Sequence, residues 1–476
     1  MLFNSAVFLL GFLPFVLLVY YRLPHRGQNA FLVLASCVFY ASWDWRFLLP
    51  LLFTTSLDYW VAARLEAELV SGKSPASRKK YLLLSILANL GLLGFFKYFN
   101  FFAQSAVQLA QSLGFDIGLR TFEIVLPLAI SFYTFQALSY TIDVYRGELH
   151  ATKSFWDFFL AVLYFPHLIA GPIQRASSLL PQVINPRRIS RTQVLEGLQL
   201  IGWGFFKKVF IADNLAPIVD AAFANPTPSG GITVLGVYAF TFQIYCDFSG
   251  YTDIARGIAK IMGFDFVLNF RLPYFATNPS DFWRRWHISL STWLRDYLYK
   301  PLGGNRGGEL KTNRNLIVTM VLGGLWHGAA WNFIIWGFYH GILLIVHRTA
   351  EPTLQRLAER LAIAPWLWWL IRVAVMFSLT CYGWLLFRAT SLEQLVAMTI
   401  SLNHPLMGID WRAMAEVTLL IAPLILVQII QARTHEMFFM KLVGVPVFAK
   451  VIACSFMLYL IVFMGGQPQS FVYFQF

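Results

Sequence analysis

The chain has 476 residues, of which 58% are hydrophobic and only 13% charged, with a mean hydropathy of +0.59 and a formal net charge of +13. Soluble domains carry charge on about a quarter of their residues, so a soluble enzyme with a large core is excluded. Nucleic-acid binding is a poor account of the basic excess. No basic, aromatic-studded domain stands apart, and Lys and Arg collect between apolar runs, as they do in the cytoplasmic loops of membrane proteins.

The first stretch, MLFNSAVFLLGFLPFVLLVYY, has no Lys or Arg before Arg22 and no small-residue cleavage site. It is expected to be a membrane helix that stays on the chain. Further apolar runs of spanning character fall at 30–41, 47–65, 81–96, 124–144, 155–173, 198–212, 231–262, 316–346, 366–387, 417–430 and 447–464. The predicted fold is therefore an all-α polytopic membrane protein. It has roughly a dozen transmembrane or re-entrant helices in one domain spanning 1–476, and the runs at 231–262 and 316–346 are long enough to bend or split.

Arg22 and Arg26 follow the first run, and a dense basic cluster extends from Arg64 to Lys80. Two short helices joined at Trp43–Arg46 separate them, which puts both clusters on the cytoplasmic side and the N-terminus outside. The run 155–173 strains that scheme. Arg146 and Lys153 precede it, and Arg175, Arg187, Arg188 and Arg191 follow it. Its Pro166, Gly171 and Pro172 break helices. A re-entrant segment keeps both flanks cytoplasmic, and irregular backbone at that depth requires a protein or cavity environment. Cys37, Cys246, Cys381 and Cys454 lie in apolar surroundings without a CxxC pair and read as free thiols.

Within CDFSGYTD, Asp247, Ser249 and Asp253 are intramembrane or nearly so. Structural ion pairing with Arg256, Arg284 or Arg285 is favoured over substrate contact. Ser249 lacks the GxSxG elbow of a serine nucleophile. The stretch NPSDFWRRWHISLSTWLRDYLYKPLGGNRGG (278–308) opens as a capped helix at Asn278 and Pro279 and ends at Gly303 and Gly304. Phe282, Trp286, Leu290, Trp293 and Tyr297 form an apolar stripe, while Arg284, His287, Ser291 and Arg295 form a polar one. The linker that follows holds Lys300, Arg306, Lys311 and Arg314 beside four glycines. Its exposed backbone N–H groups suit the phosphates of a nucleotide-bearing donor. An ordinary positive-inside loop is the plainer alternative.

From Asn315 to His347 there is no Lys, Arg, Asp or Glu, yet His327 sits in the middle at GGLWHGAAWNFIIWG. A titratable group in such a run is costly and points to function, and a buried imidazole suits proton transfer. Gly323, Gly324 and Gly328 leave room for another helix or a thin donor chain. His167, His340 and His347 are expected to be structural. His340, 13 positions beyond His327 (340 − 327), would lie about 140° away on a continuous helix. His25, His150, His404 and His435 need no special role, and no histidine spacing suits a metal.

RRWHISLSTWLRDYLY, GGNRGG, GGLWHGAAWNFIIWG, YCDFSGYTDIARG and FPHLIAGPIQR resemble the membrane-bound O-acyltransferase family, in its bacterial polysaccharide O-acetyltransferase branch. The resemblance runs from the first helix to the last residues. It implies a ring of helices around a central pore, with 278–347 as the catalytic segment. His327 matches the family's histidine in an apolar segment. His287, 40 positions upstream (327 − 287), matches its second polar residue, to orient the acceptor, steady an oxyanion or hold structure. The implied reaction moves acetyl from a cytoplasmic thioester, acetyl-CoA, across a bacterial inner membrane for O-acetylation of a polysaccharide. Alginate comes first; peptidoglycan, another exopolysaccharide, or D-alanyl transfer to teichoic acid are the alternatives. A polymer or lipid transporter is the reading outside this class. The implied partners are membrane lipid and an extracytoplasmic acetyltransferase, with no resident cofactor or metal. In the tail QSFVYFQF, Tyr473 is either an interfacial aromatic anchor or, as the resemblance implies, an acyl relay.

Overall fold

The computed structural model describes residues 1–118, 121–169, 171–438, 441 and 444–474. All regular structure among them is helical. Six helical stretches are long and apolar enough to cross a membrane: His25–Val70, Pro75–Ser112, Gly230–Ile261, Trp331–Arg360, Pro365–Arg388 and Trp411–Thr434. Val7–Tyr20 and Val447–Phe463 are shorter apolar helices. The chain is a multi-pass membrane protein.

Several expected runs are redrawn for local reasons. The runs 30–41 and 47–65 lengthen into two helices, His25–Asp44 and Leu48–Val70, joined as expected beside Asp44, at a 3₁₀ turn over Trp45–Phe47. There the Asp44 carboxylate caps the Arg46 N–H at 3.0 Å. The run 124–144 becomes helical only at Ile130, after Pro127 and a left-handed Ala129. The run 231–262 is one unbroken helix, Gly230–Ile261. The run 316–346 is split.

Contacts group the chain into two units. The first comprises Met1–Leu198 and Ala255–Val267. Asp58 is buried there between apolar helices. It accepts from the Ser85 hydroxyl at 2.5 Å and from the Asn89 amide at 2.9 and 3.1 Å, which offsets the desolvation of its carboxyl. Arg187 holds a second cluster. Its guanidinium donates to the Tyr20 hydroxyl at 2.8 Å and to Asn29 Oδ1 at 2.8 Å, and it stacks over Phe264. The segment at 155–173 is broken as its prolines require. Phe155–Leu163 stops at Tyr164, and the four-residue Phe165–Leu168 follows. Nine residues rise only about 14 Å, too short to span. Residues 158–168 are all buried, so the irregular backbone is enclosed by protein, as its depth demands. His167 is among them and bonds the Ala161 carbonyl at 3.0 Å.

The second unit comprises Gln199–Ile254 and Leu268–Phe476. Glu309–His327 and Trp331–Arg360 form its tightest helix pair. A Cβ on Gly324 would lie 2.1 Å from the Phe333 carbonyl oxygen, and one on Gly337 would lie 2.3 Å from the Met320 carbonyl oxygen. The room around these glycines is thus taken by another helix, not by a donor chain. Gly324→Ala is expected to destabilise the protein by about 1–3 kcal/mol, because backbone, not a flexible side chain, stands in the way. Thermal unfolding in detergent measures it, and an unchanged melting point contradicts the packing.

Candidate active site

The Glu309–His327 helix ends at His327, followed by an extended Gly328 and a new helix at Trp331. Gly328 lies against the Phe333 ring, where a Cβ would come within 2.1 Å. The imidazole is therefore carried on a rigid helix end and buried there at 5% exposure. The break also corrects the face argument for His340. The two histidines are not on one helix, and His340 packs between Phe282, Trp283 and Trp336.

His287 is not on a polar helix face, as the stripe reading has it. The predicted single helix is two short ones, Pro279–Arg285 and Ile288–Leu294, with His287 between them in the left-handed conformation at φ 43°. Asn269 pins that kink. Its carbonyl accepts the Ile288 N–H at 2.9 Å, and its Oδ1 accepts the Ser289 N–H at 3.2 Å and the Ser289 hydroxyl at 2.9 Å. The left-handed residue turns the ring inward with Trp286, and His287 is fully buried. The apolar stripe is as expected: Phe282, Trp286, Leu290, Trp293 and Tyr297 are all buried. His287→Asn tolerates a left-handed backbone, so it is expected to keep the fold while lowering acyl transfer about ten- to a hundredfold. Unimpaired turnover by that variant leaves His287 a structural role only.

The two imidazoles lie 6.2 Å apart, centroid to centroid. Tyr473 is the third member. Its ring centroid is 5.6 Å from that of His327 and 4.4 Å from that of Phe248, which is itself 4.7 Å from His287. Trp326, Trp336 and Phe387 complete the wall around His327. Among the described residues, neither ring nitrogen of His287 nor the Tyr473 hydroxyl has a hydrogen-bond partner, although all three atoms are buried. Orphaned buried polar atoms cost stability and call for a reason in function. Here they meet in one aromatic cluster.

The acidic motif of Gly230–Ile261 takes partners the sequence reading did not name. Lys207 donates to Ser249 Oγ at 3.0 Å and to Asp253 Oδ2 at 2.7 Å. Lys208 pairs with Asp247 at 2.7 Å and Asp213 at 2.8 Å. Arg284 and Arg285 turn instead to Asp281. The signal was in GFFKKVFIAD, two adjacent lysines inside an apolar run. They lie on a π-helical turn, Phe206–Ala212. Gly204 and Gly250, each of whose Cβ would meet the other's carbonyl oxygen at 2.6 and 2.8 Å, let the helices approach closely enough for short carboxylates to reach.

The donor-loop candidates divide: Lys300 and Arg306 lie on the turn-rich segment before Gly308, whereas Lys311 and Arg314, expected in the same linker, lie on the first turns of the Glu309–His327 helix. Gly303, Gly304, Gly307 and Gly308 all have positive φ, from 55° to 111°, a backbone open to glycine. Asn315 staples the loop through the Gly304 carbonyl at 3.0 Å. Lys300 pairs with Asp296 at 2.7 Å, and Arg314 donates to Asn315. All four cations, Lys300, Arg306, Lys311 and Arg314, are exposed. The Glu309–His327 helix holds the imidazole about 27 Å along its axis from that loop.

Fold and site together define a multi-pass helical membrane enzyme with a buried histidine pair. The chain matches the model of the membrane-bound O-acyltransferase family over residues 152–386. It is 47% identical over 393 residues to a probable alginate O-acetylase of Azotobacter vinelandii, covering 83% of this chain and 76% of the relative. It is 38% identical over 426 residues to a peptidoglycan O-acetyltransferase of Helicobacter pylori, covering 83% and 78%. A teichoic acid D-alanyltransferase of Bacillus subtilis is 28% identical over 273 residues, 55% of this chain and 68% of that one. The chain belongs to the membrane-bound O-acyltransferase family, and it is an O-acyltransferase.

Proposed function

We propose that this enzyme takes acetyl from acetyl-CoA on the cytoplasmic side of a bacterial inner membrane and delivers it outward for O-acetylation of a polysaccharide, alginate first. The relatives named for alginate and peptidoglycan O-acetylation support acetyl and a polysaccharide. They are matched over far more of the chain than the D-alanyl relative. The basic clusters at Arg22–Arg26 and Arg64–Lys80 support an N-terminus outside. Lys300, Arg306, Lys311 and Arg314 are the residues to receive the donor's phosphates, and a long thin pantetheine arm would carry the thioester inward.

The observation that carries the chemistry is the Tyr473 ring 5.6 Å from the buried His327 in a cluster of aromatic side chains. In this reading His327 takes the phenol proton, and the phenolate oxygen attacks the thioester carbonyl. The C–S bond breaks, the new C–O bond forms, and His327 returns the proton to the departing thiolate. His287 belongs to the same cluster and would donate to the developing oxyanion. The acetyl ester on Tyr473 then passes to a hydroxyl of an extracytoplasmic acetyltransferase partner, which esterifies the polymer. Incubation with isotopically labelled acetyl-CoA and peptide mass analysis tests it, with label expected on Tyr473. Labelled donor consumed only when the partner is added, with no label on the chain, would replace the relay by direct transfer to the partner. No consumption at all would overturn acetyl-CoA as donor.

A further inference from the structure

We infer that the buried Lys208, with Asp247 and Asp213, is a clamp for the C-terminal segment, and that it positions Tyr473 against His327. The acyl-transfer chemistry above does not use these three groups. What they do touch is the tail. Lys208 Nζ donates to the Gln469 carbonyl at 3.0 Å, and Asp247 Oδ2 accepts the Val472 N–H at 2.6 Å. One ammonium bridges both carboxylates, at 2.7 and 2.8 Å, with all three side chains 1% exposed. A buried charge network of this kind costs desolvation, which its ion pairs and hydrogen bonds must offset. Two of its bonds are made to backbone of residues 469 and 472, and Tyr473 is the next residue along.

The approach of the tail is equally specified. Gly466 donates its N–H to the Val209 carbonyl at 3.0 Å, and a Cβ there would lie 2.5 Å from the Asp213 backbone. Gly465 is as tight against Val209, at 2.7 Å. The same π-helical turn that aims Lys208 thus also receives the Gly465–Gly466 pair. Phe471 and Val472 are buried beyond it, with Phe471 against Tyr251 at 4.7 Å. Backbone anchors at 466, 469 and 472 leave Tyr473 little freedom, and a nucleophile held in register gains rate over one that must find its place.

The clamp is a statement about the tail, and its catalytic consequence rests on the proposed acceptor role of Tyr473. Hydrogen–deuterium exchange on the full-length protein in detergent separates the two. Lys208→Met keeps the length and removes the charge. It is expected to raise amide exchange across 467–474 about tenfold while peptides from Glu309–His327 exchange as before. Val472→Pro removes one N–H and leaves the charges intact, so it decides the matter if Lys208→Met fails to fold; Phe471 and Tyr473 then report the loosening. Unchanged tail exchange in either folded variant overturns the clamp. In acetyl transfer, both variants are expected to lower kcat about tenfold with the KM for acetyl-CoA within about twofold. A loosened tail with undiminished kcat overturns the positioning role. A wild-type chain that takes no label on Tyr473 fails the acceptor reading alone, and the exchange result still decides the clamp.

Discussion

His327→Ala is expected to lower acetyl transfer about a thousandfold, the size of effect seen when a general base is removed. The imidazole is the titratable group between the cluster's aromatic rings and the tail phenol, at the end of a helix that cannot shift without forcing Gly324 into the Phe333 backbone. The neighbouring imidazole, His287, lies 6.2 Å away and is fixed on the kink that Asn269 pins. His340 is enclosed by Phe282, Trp283 and Trp336. The measurement is transfer from labelled acetyl-CoA by purified protein, with membrane abundance of wild type and variant matched. Transfer at the wild-type rate would falsify a catalytic role for His327.

Tyr473→Phe removes one oxygen, and the structure makes it a clean experiment. The Tyr473 hydroxyl is buried and has no hydrogen-bond partner among the described residues. Deleting an unsatisfied buried hydroxyl breaks no bond and leaves the aromatic contacts with His327, Phe248 and Phe471 in place. The melting temperature should stay the same or rise slightly. Acetyl transfer should nonetheless fall by about a hundredfold or more, because the proposed nucleophile is gone. The two readouts moving apart is the signature of a chemical role. Transfer that survives in the phenylalanine variant returns Tyr473 to a packing role and leaves the partner's hydroxyl as the direct acceptor.

The site was legible in unequal parts. His327 announced itself, since an imidazole in a run without Lys, Arg, Asp or Glu has few bland explanations. His287 was found by its motif but placed on a polar stripe. That inference assumed one regular helix, and a single left-handed residue pinned by Asn269 turned the ring inward. Asn269 itself, in VLNF, carried no signal. Lys207 and Lys208 did carry one, two cations inside the apolar run 198–212, and it was not used. Asp247 and Asp253 are ion-paired as expected, and Lys208 and Lys207, about 40 residues away in sequence, are partners the sequence did not point to. Tyr473 entered only through the resemblance. Its distance from His327 in the chain is 146 residues (473 − 327), and no periodicity reports a contact of that kind.

What the sequence determined alone was the solvent and the chemistry available. Runs of apolar residues at membrane length demand helices whose backbone bonds are satisfied internally. The scarcity of charge follows from the same demand, and the break near Pro166 from the residue itself, whereas the break at Gly328 was not placed by the sequence. Local rules of that sort depend on neighbours a few residues apart. The tertiary structure alone decided which distant groups meet: the two histidines 6.2 Å apart, the tail phenol beside them, and Lys208 holding that tail through Gln469 while its partner Asp247 takes the Val472 N–H. Those contacts depend on glycine-lined helix crossings and one backbone kink, where angstrom-scale packing fixes a partner that residue type cannot name.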